Sequence, residues 1–153
     1  MSLNVHADEL INSIDLSQLQ ELRTLHIGGL TVPGTSSLPN VLQRIDSSFL
    51  DTVELSFDLC HDSDLLCMDW RQLERVLLAL HFFSMRQVRI FFDIAPGVPK
   101  GFWETAEKTI CEAMPDLYRR GVLRVHGTVK GQVTNQEFEV IIWCWSIASL
   151  TPT

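Results

Sequence analysis

Three stretches of this chain place apolar residues in one arrangement, L-x-x-L-x-L. They are Leu22, Leu25 and Ile27 in LRTLHI, Leu50, Val53 and Leu55 in LDTVEL, and Met85, Val88 and Ile90 in MRQVRI. The first leads the second by 28 residues and the second leads the third by 35. A further 35 from Val88 reaches Leu123, with Val125 two residues on, so GVLRV is a fourth, degenerate copy. A period of this length accommodates one strand and one helix, a unit that cannot bury its own apolar face and must stack on its neighbours. The intervening segments carry the helix. Leu38, Val41, Leu42 and Ile45 fall at i, i+3, i+4 and i+7, as do Leu73, Val76, Leu77 and Leu80, which is the stripe of an amphipathic helix. Each stripe begins 12 residues before the next strand's first apolar position, so helix and strand keep one register. The expected fold is α/β: repeating strand-helix units, a mainly parallel sheet with helices on one side, and a single domain over residues 1–153.

The segments around the repeats set further expectations. Residues 1–15 are polar apart from isolated apolar positions such as Leu10, Ile11 and Ile14, and are expected to form at most a short, poorly ordered helix. Nothing before Leu16 supplies the polar-faced cap that a repeat array needs. The flank of the first strand is therefore expected to be apolar and uncovered, and the chain to form a homo-oligomer through it. Pro33 and Gly34 suit the central positions of a type II turn, and Pro96 with Gly97 recur at the equivalent place. Asp69 with Gln72 three residues on predicts an N-cap for the second helix, which should run to about Phe82 or Phe83. The third helix should begin after Pro99 and bury Trp103, Ala106, Ile110, Ala113, Met114 and Leu117. Pro115 should break it near Met114, with a last turn ending at Gly121. KGQVTNQ then reads as a turn, and residues 137–146 as a C-terminal capping strand that is apolar on both parities.

Charge and composition exclude several classes of function. With 12 basic against 19 acidic residues and no Lys/Arg cluster, an electrostatic grip on nucleic acid is not expected. No apolar run is long enough to span a bilayer and the N-terminus does not resemble a signal peptide, so the expectation is an intracellular chain, cytoplasmic or nuclear, that binds no membrane. Cys60, Cys67, Cys111 and Cys144 lie in or beside apolar segments and are expected to be free thiols packed as small hydrophobes.

One loop gathers reactive side chains: Cys60, His61, Asp62, Asp64 and Cys67. A thiol nucleophile needs a base held at its sulfur, and neighbouring residues on an extended chain point apart, so Cys60 beside His61 is poor evidence of catalysis. As metal ligands Cys60, His61 and Cys67 lack the second ligand pair of the familiar zinc spacings, and neither a metal nor any other cofactor is expected. Asp58 and Asp93 end equivalent strands. They are either paired carboxylates at the C-terminal edge of a parallel sheet or acceptors for the amides of the following turns, the second being the better explanation.

The strand face turned away from the helices is more informative. Between the apolar positions of the four copies stand His26, Glu54, Arg89 and Arg124, which a parallel sheet would align in a row. The next row holds Gly28, Ser56, Phe91 and His126. Arginine and aromatic residues concentrate at interface anchors, so His26, Glu54, Arg89, Phe91, Arg124 and His126 form a candidate binding strip, with Asp58, His61 and Asp93 in the adjoining loops as a secondary one. The alternative is a surface ion-pair ladder worth about 0–1 kcal/mol per pair.

The succession LRTLHI, LPNVLQRI, LDTVELSF, WRQLERVLL, MRQVRIFF and MPDLYRRGVLRV resembles the leucine-rich-repeat portion of fungal F-box-like proteins over residues 16–125, most of all in its closing MPxLYxRGxLxV phrase. The resemblance implies a leucine-rich-repeat-like solenoid that holds a protein substrate. The docking of such proteins onto a ubiquitin-ligase adaptor does not carry over, because no F-box helix set is visible; within the repeats, the usual asparagine is replaced by Leu30, Asp58 and Asp93. Taken together, the residues predict a non-catalytic module for protein-protein recognition whose partner is unknown. The rivals are a small thiol-dependent enzyme using the loop with Cys60 and Cys67, and a fragment of a longer repeat protein without a function of its own.

Overall fold

A computed structural model describes residues 1–6, 19–79, 84–99 and 101–129. Its centre is a five-stranded, all-parallel sheet whose spatial order is the chain order: β1 (Ser2–His6), β2 (Thr24–Leu30), β3 (Thr52–Leu59), β4 (Gln87–Ile94) and β5 (Leu123–Val129). Apolar residues alternate along the strands, and burial follows them. Leu25, Val53, Val88 and Leu123 form one buried row across four strands, and Ile27, Leu55, Ile90 and Val125 form the next. A slip of one residue would turn each apolar set to the opposite face, so the pattern fixes the register. Strand entry is also pinned by backbone bonds. The amides of Arg23 and Thr24 donate to the Met1 carbonyl (2.9 and 3.4 Å), those of Asp51 and Thr52 to Arg23 (2.9 and 3.1 Å), and those of Arg86 and Gln87 to Asp51 (2.8 and 3.0 Å).

The N-terminal stretch differs from expectation. Ser2–His6 is a strand, paired along its length with β2, and not a short helix. The flank of β2 is accordingly covered by a hydrogen-bonded neighbour, and the uncovered apolar flank on which the self-association argument rested is not found there. Leu3 and Val5 stand opposite Leu25 and Ile27.

Helices and short 3-10 segments connect the strands. After β2 come a 3-10 helix, Val32–Ser37, and α1 (Leu38–Gln43); after β3 come a second 3-10 helix, Asp62–Cys67, and α2 (Trp70–Ala79). Pro33 thus opens a 3-10 helix and not a type II turn, since its fixed φ suits a first helical turn equally well. The expected kinship between the first and third connections therefore fails, and it is the first and second that share a 3-10 helix. Gly97, with φ +109°, does take the positive φ of a type II turn. After β4 come α3 (Phe102–Ala113) and α4 (Pro115–Arg119). They are separated at Met114 (φ −122°, ψ 62°) because Pro115 cannot continue the preceding turn. Gly121 (φ +67°) then turns the chain into β5.

The helical stripes enter the same core as the inward strand residues: Leu38, Val41, Leu42 and Ile45, then Leu73, Val76 and Leu77, then Ala106, Ile110, Met114 and Leu117, with Phe102 in addition. At its C-terminal end the core becomes aromatic. Phe57 and Phe92, register partners on β3 and β4, pack at 5.8 Å between ring centroids and hold Trp70 edge-on at 5.3 and 6.1 Å. The indole N–H donates to the Leu65 carbonyl at 2.9 Å, so the buried ring leaves no donor unmet. Asp69 caps α2 as expected, its Oδ1 accepting from the Gln72 amide at 2.9 Å. The buried Glu74 on α2 has a less obvious role: its Oε1 accepts from the amides of Asp116 (2.7 Å) and Leu117 (3.0 Å) in the first turn of α4. Leu80, Phe82, Phe83, Cys144, the expected turn after β5 and the capping strand at 137–146 lie outside the described residues, as do Leu10, Ile11, Ile14 and Leu16.

Candidate functional site

Because one parity of β2, β3 and β4 and the start of β5 is sunk in the core, the other forms the opposite face of the sheet, half-buried over most of these strands and exposed at Asn4 and Thr128. The register brings His26, Glu54, Arg89 and Arg124 into one row, as the spacing predicts, and Asn4 on β1 extends it. Ser56, Phe91 and His126 form the second row and Asp58, Asp93 and Thr128 the third. Gly28 does not join the second row. β2 carries one extra residue between Ile27 and Leu30, with Gly29 at φ +66°, a bulge that lets Leu30 return to the core opposite Phe57. Asn4 was hidden in the sequence because Leu3 and Val5 lack the third apolar position that marks the other copies.

The rows are chemically distinct. In the first, Arg89 Nη1 lies 2.7 Å from Glu54 Oε1. The Arg89 side chain is 39% exposed, so this pair is worth at most about 1 kcal/mol to the fold. Arg124 is turned back on its own strand entry, donating from Nη1 to the carbonyls of Gly121 and Leu123, both at 2.9 Å. The register thus aligns the two arginines, while side-chain bonding gives them different tasks. In the second row the rings of Phe91 and His126 stack at 4.9 Å with an interplanar angle of 15°. In the third, Asp93 Oδ1 accepts from the Thr128 hydroxyl at 2.7 Å, a bond across strands and not to a turn amide. The turn after β4 is instead held by the Ala95 amide donating to the Leu59 carbonyl at 2.9 Å.

Between these rows lies a depression of about 230 Å³ whose walls include His26, Glu54, Ser56, Phe91, Asp93 and Thr128. A larger groove, about 370 Å³, lies at the C-terminal end of the sheet between the second 3-10 helix and α3, lined by Leu65, Leu66, Pro99 and Phe102 among others. The strand-face depression combines charge, aromatic surface and a fixed hydrogen-bond frame in one place.

The loop with the reactive side chains is organised by Asp64. Its Oδ2 accepts from the amides of Cys60 and His61, both at 2.9 Å, and its Oδ1 lies 3.9 Å from His61 Nδ1. This is a capping box on the second 3-10 helix: Asp64 holds the amides at and just before the N-cap, and Asp62 Oδ1 accepts from the Ser63 amide at 2.8 Å. Cys60 and Cys67 are exposed, against the expectation that they pack as small hydrophobes, because Cys60 follows the last inward residue of β3 and Cys67 lies on the outer side of a helix whose buried residue is Leu65. Cys111 is half-buried. Among the described residues no group of three or more His, Cys, Asp or Glu is placed to hold a metal ion, and no helix is long and apolar enough to cross a membrane.

No family model, curated protein or solved structure matches this chain.

Proposed function

We propose that the face of the sheet opposite the helices is a protein-recognition surface, and that the chain is a non-catalytic, leucine-rich-repeat-like module that holds a protein partner there, in the manner its resemblance to fungal F-box-like proteins implies. The single observation that carries this reading is the Phe91–His126 stack beside the Arg89–Glu54 pair, on the sheet face opposite the helices. Aromatic and arginine side chains on a rigid sheet make good anchors because they bring large contact area at small entropic cost. Arg89, Phe91 and His126 are the anchors in this reading, with Glu54 and Arg124 as the frame that orients them.

The test is affinity capture from a lysate with wild type and a Phe91→Ala/His126→Ala double variant, alongside thermal melts. Losing the ring stack costs about 0.5–1.5 kcal/mol of stability. Partner capture should fall much further, since losing an interface anchor costs about 2 kcal/mol or more. Identical captured proteins from two chains that both remain folded would place recognition elsewhere.

A further inference from the structure

The strand-face depression has an acidic lining. Two of its walls are the carboxylates of Glu54 and Asp93, a third is His26, and among the described residues no lysine or arginine lines it. Arg89, the nearest cation along the row, reaches Glu54 Oε1 and lies outside the lining. Asp93 takes its hydrogen bond from a neutral hydroxyl, which fixes the carboxylate without neutralising it. Phe91 adds an aromatic wall, held in place by the His126 ring stacked on it.

From this we infer that the partner enters the depression with a cationic side chain, arginine in preference to lysine; the inference deepens the recognition reading above and rests on it. Three features favour that occupant over a neutral or acidic one. The Asp93 carboxylate, held by Thr128, matches the forked donors of a guanidinium and repels an anion, while Glu54 is already paired with Arg89. A ring beside them gives the cation an aromatic neighbour, and arginine stacks on such rings more readily than lysine. The volume, about 230 Å³, falls below the range of about 300–1,000 Å³ usual for whole small-molecule ligands, so it suits one inserted side chain of a larger partner. The net charge of −7 adds a long-range pull on a basic partner.

The test is a selection of random displayed peptides on the wild-type chain, followed by affinities of the enriched peptides as synthetic probes. Enriched sequences should carry an arginine at a fixed place. Replacing that arginine by citrulline, its neutral isostere, should weaken binding about tenfold or more, as should Asp93→Asn, which keeps an acceptor for Thr128 but removes the charge. The citrulline arm needs no protein variant, so it decides the matter even if Asp93→Asn fails to fold. Peptides that bind equally well with citrulline, or that contain no basic residue yet lose binding on Phe91→Ala, overturn the cation and leave the strand-face reading standing. Peptides that ignore Phe91→Ala, or a selection that enriches nothing, overturn both.

Discussion

Glu74 provides a quantitative test of how the helical layer is held. α4 begins at Pro115 immediately after Met114, whose side chain offers no acceptor worth the name, so the second and third amides of the helix have no N-cap of their own. Glu74 reaches them from α2 with a buried carboxylate oxygen, at 2.7 Å to the Asp116 amide and 3.0 Å to that of Leu117. Glu74→Ala removes both bonds and leaves two donors facing a partly dry gap. Bonds to a charged acceptor are worth about 1.5–3 kcal/mol each and an N-cap about 1 kcal/mol, and because both amides share one oxygen the expected loss is about 2–4 kcal/mol, not the full sum. In a chain of 153 residues each kcal/mol moves Tm by about 2–4 °C, so the melt should shift down by about 5–15 °C. Glu74→Gln keeps an acceptor oxygen and should lose about half as much. Urea unfolding followed by tryptophan fluorescence and circular dichroism reads both changes, with an unchanged slope showing that the unfolded state is the same. If Glu74→Ala unfolds within about 0.5 kcal/mol of wild type, a surface-like value, the cross-helix cap contributes nothing and the reasoning fails.

Two further outcomes are expected. Asp69→Ala should cost about 1 kcal/mol by freeing the Gln72 amide at the start of α2, and Asp69→Ser should restore most of it; equal midpoints for all three chains would refute the cap. Native-state thiol labelling followed by mass spectrometry should modify Cys60 and Cys67 well ahead of Cys111, in line with their exposure, and at similar rates to each other; one of the pair reacting far faster at neutral pH would instead favour the thiol-enzyme reading.

The legible part of this fold is the part written in apolar periodicity. Leu25, Val53, Val88 and Leu123 announce the sheet register from spacing alone, and the same spacing places His26, Glu54, Arg89 and Arg124 side by side, because a parallel ladder converts equal offsets into lateral neighbours. What it does not carry is side-chain choice. Arg124 prefers two carbonyls of its own backbone, Asp93 prefers Thr128 to a turn amide, and the acceptor for the α4 amides lies 42 residues away from Asp116 in sequence. Such bonds depend on which rotamers packing permits. Ser2–His6 carries no periodic mark, because a strand with a single neighbour among the described residues needs few apolar contacts, so Leu3 and Val5 suffice and no pattern of three appears. The exposure of Cys60 and Cys67 is not legible either, since local apolar composition does not say where a strand ends or on which side of a 3-10 helix a residue falls.

The agreement between strand order and chain order has a consequence for how the chain is made. Among the described residues, each strand from β2 to β5 pairs with the described strand that left the ribosome before it, and none of these rungs waits for a segment that is synthesised later. The sheet can therefore grow by accretion. Every addition closes a stretch of comparable span, 22 residues from Leu3 to Leu25, 28 to Val53, then 35 to Val88 and 35 to Leu123, so the entropic cost of the steps differs by only a fraction of a kcal/mol. A nascent chain of this design always exposes one growing edge, the place where a chaperone or a premature neighbour would meet it, and that edge moves along the sheet as translation proceeds.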